Sequence, residues 1–245
     1  MPPKLDFKEA IYPTATYRHN HYVPIWYQER FMLPDQDRYF RLDLKPEVVT
    51  RGKVKYTRHD VHEWSPERIF AQDDIYTTLW GGIPNVEIEQ FFFGQLDNAA
   101  PRALDFFAKY ADLDVSEESF QTLMRHMSVQ KLRTPKGLGL LAAITRSANT
   151  NLTLMNLQQF QNLFCAVWTE SVWQIADASG SPTKFIISDH PVTVYNRACP
   201  PLSKWCAGVN DADVRMHASH TYFPLSIDKV LILTNLSWVR NPYPS

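Results

Sequence analysis

Six residues scattered along the chain have the types that acid-base and anion-binding chemistry needs: His21, Glu89, Gln130, Arg133, Ser188 and Asp189. A histidine titrates near neutrality, a carboxylate can orient a proton or ligate a metal, and a guanidinium holds an anion through a fixed fork. Gln130 and Arg133 are three apart, so on a helix they are neighbours, and they precede Thr134-Pro135, a pair that opens a helix. The free N–H groups and dipole at such a start favour a phosphate or carboxylate. Ser188-Asp189-His190-Pro191 leaves a strand-like run for a proline turn. Asp189 either bonds its own backbone there as an Asx-turn or serves a site, with Ser188 beside it as a substrate contact. Glu87, Glu89 and Asp97 set carboxylates on one predicted helix, with 89 and 97 nearly on one face. Solvated acids are the simpler reading, although Phe91 to Phe93 would raise the pKa of any carboxyl buried among them.

Other chemistries find little support. His59-Asp60-Val61-His62-Glu63 has histidines three apart, not the four that put both on one side of a zinc-binding helix. Gly137-Leu138-Gly139 lacks the third glycine and the preceding strand of a dinucleotide fingerprint, and reads as an irregular helix start. No G-x-S-x-G elbow occurs, so a standard serine triad is unsupported. Cys165, Cys199 and Cys206 are odd in number and form no C-x-x-C pair, which argues against a disulfide framework or zinc finger. With no run of eighteen apolar residues and no secretory pattern in Met1-Pro2-Pro3-Lys4-Leu5-Asp6, the expectation is a cytoplasmic protein with no membrane partner.

The elements that position these residues follow from period and punctuation. At 245 residues, 44% hydrophobic, the chain can bury a core as one domain spanning 1–245. Tyr39 to Leu44 and Lys53 to Thr57 alternate and suggest an early hairpin. A helical centre runs from about 85 to 169: Asn85 caps a helix through Asn98, Pro101 opens another through Tyr110, and Ser116 caps a third. Thr134-Pro135 starts a fourth, and Leu152 to Thr169 completes the centre. From 171 to 235, Val172 to Ile175, Phe185 to Ile187, Val192 to Tyr195 and Val230 to Leu233 read as an antiparallel sheet. Strands, then helices, then strands make an α+β fold. The net charge of −1 hides a stretch from Ser119 to Thr169 with no acid, carrying Arg125, Lys131, Arg133, Lys136 and Arg146. A solvated helix face is the simpler reading of it and a phosphate-binding surface the alternative.

Four segments resemble, in order and rough spacing, those of the family called domain of unknown function 4238. They are His21-Tyr22-Val23-Pro24 with the following aromatics and Arg30-Phe31; Ile88-Glu89-Gln90 before a long helix; Gln130 to Pro135; and Lys184 to Val192. His190 stands where the family more often has Asn, and members often continue into a helical segment, so the resemblance implies a chain cut short at Asn241-Pro242-Tyr243-Pro244-Ser245. It implies no activity.

Two functions are therefore expected side by side. One is a hydrolase or transferase acting on a phosphate-containing substrate such as a nucleotide or nucleic acid. In it His21, Glu89 and Asp189 are catalytic, Gln130, Arg133 and Ser188 bind substrate, and a divalent metal ion is left open as cofactor. The other is a non-catalytic module in which the same motifs are clasps and the basic middle engages a protein or nucleic-acid partner. Convergence of His21, Arg133 and Asp189 would favour the first.

Overall fold

The computed structural model describes residues 19–109, 116–201, 203, 206 and 211–236. The chain opening, the expected helix end at Tyr110 and the closing Asn241 to Ser245 lie outside them.

Strand β1 (His19–His21) leads into a helical turn α1 (Ile25–Gln28) and then four short strands, β2 (Tyr39–Leu42), β3 (Val48–Arg51), β4 (Val54–Thr57) and β5 (Val61–Trp64). The two runs expected to form one hairpin, Tyr39 to Leu44 and Lys53 to Thr57, do not pair with each other: β3 pairs with β4 across a two-residue turn at Gly52, whose φ of +64° suits glycine, and β2 pairs with β5 outside it. Strand β6 (Ala71–Asp73) returns beside β1, and β7 (Thr78–Trp80) pairs with β8 (Ile83–Asn85).

The helical centre follows. A π-helical turn, Ile88–Phe93, runs directly into α2 (Gly94–Ala108). Helix α2 passes straight through Pro101, where a break was expected. Burial of Ala100, Ala103, Leu104 and Phe107 outweighs the roughly 3 kcal/mol that an interior proline costs a helix. Ser116 caps α3 (Glu117–Arg133), its side chain accepting from the Ser119 N–H, and Thr134 caps α4 (Pro135–Thr145) in the same way through Gly137. The expected last helix divides into α5 (Thr150–Gln159) and α6 (Cys165–Thr169).

Strands β9 (Val172–Asp177), β10 (Thr193–Tyr195), β11 (His220–Pro224) and β12 (Lys229–Thr234) form one antiparallel sheet in the order β10-β11-β12-β9. Phe185 to Ile187 was expected as a strand. It is an extended loop, tied by the Phe185 N–H to the Ile227 carbonyl at 2.9 Å. The sheet's remaining strand is instead β11, which was not expected, because His220-Thr221-Tyr222-Phe223-Pro224 hides its alternation behind a polar start and a terminal proline. Cys199 and Cys206 are joined, with Cα atoms 6.4 Å apart, so the chain carries one local bridge where none was expected. No helix among the described residues is long and apolar enough to cross a membrane.

Two apolar clusters meet along α3. One lies between the sheet, α1, α2 and the first half of α3, around Tyr27, Leu104, Met127, Trp168 and Phe223. The other joins the second half of α3 to α4, α5 and the π-helical turn, around Tyr76, Phe93, Leu132, Leu138 and Leu157. Every residue of α3 from His126 to Arg133 is buried, so the helix end is enclosed on all sides. Lys131 and Arg133 are therefore not on a solvated face, which corrects the simpler reading of the basic stretch.

Candidate active site at the end of helix α3

Residues two apart on a helix point in nearly opposite directions, so burying both Lys131 and Arg133 demands a partner on each side. Two polar centres result, back to back.

The Arg133 centre gathers side chains from β1, the π-helical turn, α2 and α3. The guanidinium is 1% exposed; its Nε donates to Gln130 Oε1 at 2.8 Å and Nη1 to Asp97 Oδ2 at 3.0 Å. It lies 5.3 Å from the Phe93 ring centroid, and the carbonyl of Arg133 accepts from the Tyr76 hydroxyl. Burial works against its charge, but Asp97, Tyr76 and Glu89 more than offset this and hold its pKa above the ordinary value. Gln130 in turn donates from Nε2 to the Tyr22 carbonyl at 2.8 Å, fixing the chain after β1. Burial pushes the Glu89 carboxyl up to about 7; Arg133 opposes this, Asp97 reinforces it, and the Asn20 side chain bonds the charged form. Four buried polar atoms of this centre have no hydrogen-bond partner: Asn20 Oδ1, Glu89 Oε2, Asp97 Oδ1 and Arg133 Nη2. Trp26 Nε1, Ser128 Oγ and both ring nitrogens of His126 are also unpartnered. His126 sits in an aromatic setting with Trp26, Tyr27 and Phe223, where burial first and Arg133 second keep it neutral.

The Lys131 centre faces the other way. Lys131 Nζ donates to Asp211 Oδ2 at 2.6 Å and to the Val192 carbonyl at 3.2 Å, and Lys136 Nζ donates to Asp211 Oδ1 at 2.7 Å. His190 Nδ1 is 2.6 Å from the Thr134 hydroxyl, which also accepts the Gly137 N–H, and His190 Nε2 is 3.5 Å from Asp211. Burial drives the His190 pKa down to about 4, helped by Lys131 and Lys136 and opposed by Asp211. Asp211 is held well below the carboxylate range: burial acts upward, but the His190 bond and both lysines outweigh it.

Of the six expected site residues, Glu89, Gln130 and Arg133 come together. His21 does not join them. Its Nε2 lies 3.1 Å from the Glu67 carbonyl, and its ring meets His19 edge-on. The alternation of β1 explains this: Asn20 is the buried residue of the strand, so the histidines on either side of it face the other way. Asp189 is exposed, near enough to raise the Tyr22 phenol, whose pKa burial and this charge together push to about 12. Ser188, not Asp189, closes the turn, its Oγ accepting the His190 N–H at 3.2 Å. Among the described residues no group of three His, Cys, Asp or Glu is arranged to hold a metal ion.

Sequence reasoning missed Asn20, Lys131, His190 and Asp211 as site residues. Asn20 had no signal, because His19, Asn20 and His21 are all polar and no hydrophobic alternation marks the inward side. Asp211, 80 residues from Lys131, had none either.

Four segments thus meet at one corner: Tyr22 behind Gln130, Glu89 beside Arg133, the α3–α4 junction itself, and His190 on Thr134. No curated protein and no solved structure matches the chain. The model of one family, described as protein of unknown function (DUF4238), matches residues 19–242, and the chain belongs to that family.

Proposed function

We propose that the Arg133 centre is the active site of a hydrolase or transferase, with Glu89 as its proton-transfer group. The observation that carries this is the set of four unpartnered polar atoms on Asn20, Glu89, Asp97 and Arg133. Each such buried atom costs about 1–3 kcal/mol, and here four of them, on two carboxyls, an amide and a guanidinium, are gathered in one centre. A carboxyl with a pKa of about 7 also suits acid-base work at neutral pH, and replaces His21 in that role. Three of the four atoms are oxygens on acceptor groups and one is a donor, so the centre fits a group rich in N–H or O–H: sugar hydroxyls or the amino group of a base. Of a phosphate-containing substrate such as a nucleotide, it would take the sugar or base, because Asp97 and Glu89 already answer the charge of Arg133.

A thermal-shift screen of nucleosides, sugars and polyamines tests this, followed by turnover of any compound that stabilises the protein. The expected hit depends on Arg133 and is turned over with a pH profile showing one ionisation near 7 that disappears in Glu89→Gln. A substrate turned over equally well by Glu89→Gln and Arg133→Lys sinks the assignment.

One observation favours the second reading, an interaction module. Phe40, Leu42 and Val61 are exposed on one face of the β2–β5 hairpin, and Arg51, Lys53 and Lys55 are exposed around β3–β4. Salt-dependent binding of duplex DNA that is lost when Lys53 and Lys55 become alanine would favour that reading.

A further inference from the structure

A cavity of about 450 Å³ opens on the far side of α3 from Glu89, within the range of small-molecule sites. Its walls are largely apolar, with Ile144 of α4 and Leu163 and Phe164 before α6 contributing to them. Its polar end is the Lys131 centre. The charged lining is Lys131, Lys136 and Arg215 against Asp211 and Asp213, three cations to two carboxylates. Arg215 and Asp213 cancel each other in a 2.6 Å pair, and His190 is neutral near pH 7, which leaves one positive charge in excess.

That charge belongs to Lys136. Lys131 is 5% exposed and holds Asp211 and the Val192 carbonyl, whereas the Lys136 side chain is 35% exposed and has Asp211 as its acceptor among the described residues. An ammonium has three N–H donors, so Lys136 keeps two to offer. It also lies in the first turn of α4, where the helix dipole adds to the attraction for an anion.

We propose that this cavity binds a small organic monoanion, a carboxylate on an apolar body, with its head on the free N–H groups of Lys136 and its body against Phe164 and Leu163. The single excess charge selects a monoanion, and the apolar walls select the body. The inference stands apart from the Glu89 centre, since the two use different faces of α3.

The test uses three probes sharing one apolar body: 2-naphthylacetate, 2-naphthylethanol and 2-naphthylethylamine, measured by titration calorimetry and thermal shift. The acid is expected to bind at least tenfold more tightly than the alcohol, and the amine not at all. Lys136→Gln should bring the acid down to the level of the alcohol. Ile144→Trp, which adds bulk to the cavity wall eight residues along α4 from Lys136, should weaken acid and alcohol alike, and it serves as the second variant should Lys136→Gln fold poorly. Equal binding of acid and alcohol by the wild type, preference for the amine, or no binding of any probe at millimolar concentration would each overturn the proposal.

Discussion

The two centres at the end of α3 are made from one hexapeptide, Gln130 to Pro135, yet they are finished differently. On the Lys131 side both Asp211 oxygens are bonded, His190 rests on Thr134, and no atom of these side chains is a buried orphan. On the Arg133 side four buried atoms are left over. Burying charge is unfavourable unless geometry and hydrogen bonds compensate, so the first centre is what a structural clasp looks like. The second keeps a buried guanidinium and two carboxyls without completing their bonds, which is how a buried centre poised for another molecule differs from one whose buried charges already answer each other.

The comparison is easiest to break at Asp211. Asp211→Ala leaves Lys131 buried with no counter-charge and should cost about 3–5 kcal/mol, read as a lower denaturant midpoint. A loss under about 1 kcal/mol would mean that the clasp is not a clasp. Gly137→Ala comes next. A Cβ there would sit 2.1 Å from the Lys131 carbonyl oxygen and 2.5 Å from that of Leu132, both backbone atoms with nowhere to go. The α3–α4 corner must then open, at a cost of about 3 kcal/mol, and both centres should loosen together. Urea melts of Gly139→Ala give the control, since nothing lies within 4 Å of a Cβ at that glycine.

Gly137 also marks how far the sequence could be read. With Gly139 it read as an irregular helix start, and it does lie in the first turn of α4, but its use there is the close approach of two helices, which one-dimensional spacing does not report. Capping at Ser116 and Thr134 was legible because it is local chemistry. So was the neighbourhood of Gln130 and Arg133. The direction of Arg133 was not: it turns from the helix start that was to share its anion toward Asp97, a residue already noted on the same helix face as Glu89. His21 was chosen by residue type, and the strand buries Asn20 instead, between two histidines equally polar in sequence. The partners of Asp211, which are Lys131, Lys136 and His190, are all distant in sequence, and periodicity carries no information about such contacts.

Glu89→Gln sharpens the contrast from the other side. The substitution keeps the shape and removes a charge that burial already disfavours, so stability at pH 8 should hold or rise by about 1 kcal/mol. The same change should abolish whatever turnover the screen finds. A loss of stability comparable to that of Asp211→Ala would show that Glu89 is a structural ion-pair partner of Arg133, and the distinction between the centres would fall.

The smallest expected effect is a cancellation, and it separates the centres most cleanly. Glu89 has a folded-state pKa raised from 4.5 to about 7, so the native protein keeps a proton that the unfolded chain gives up. Its contribution is fully present below pH 4.5 and is lost as pH rises toward 7. His190 is the reverse, lowered from 6.5 to about 4, so the unfolded chain takes up a proton that the native protein refuses. Its contribution is complete above pH 6.5 and is lost as pH falls toward 4. Between pH 4.5 and 6.5 the two slopes oppose each other, each approaching about 1.4 kcal/mol per pH unit, and their sum is close to flat. Asp211, held low, adds a loss below pH 3.8, outside that window. Glu89→Gln should therefore expose the histidine slope, losing about 2 kcal/mol relative to wild type as pH falls from 6.5 to 4.5. His190→Asn should expose the carboxyl slope, losing a similar amount as pH rises over the same range. Urea melts at half-unit steps for the three proteins decide it, because every other titration is shared and drops out of the differences. Parallel profiles for wild type and Glu89→Gln would mean that Glu89 titrates as an ordinary surface carboxyl, and the Arg133 centre would then have no proton to transfer at neutral pH.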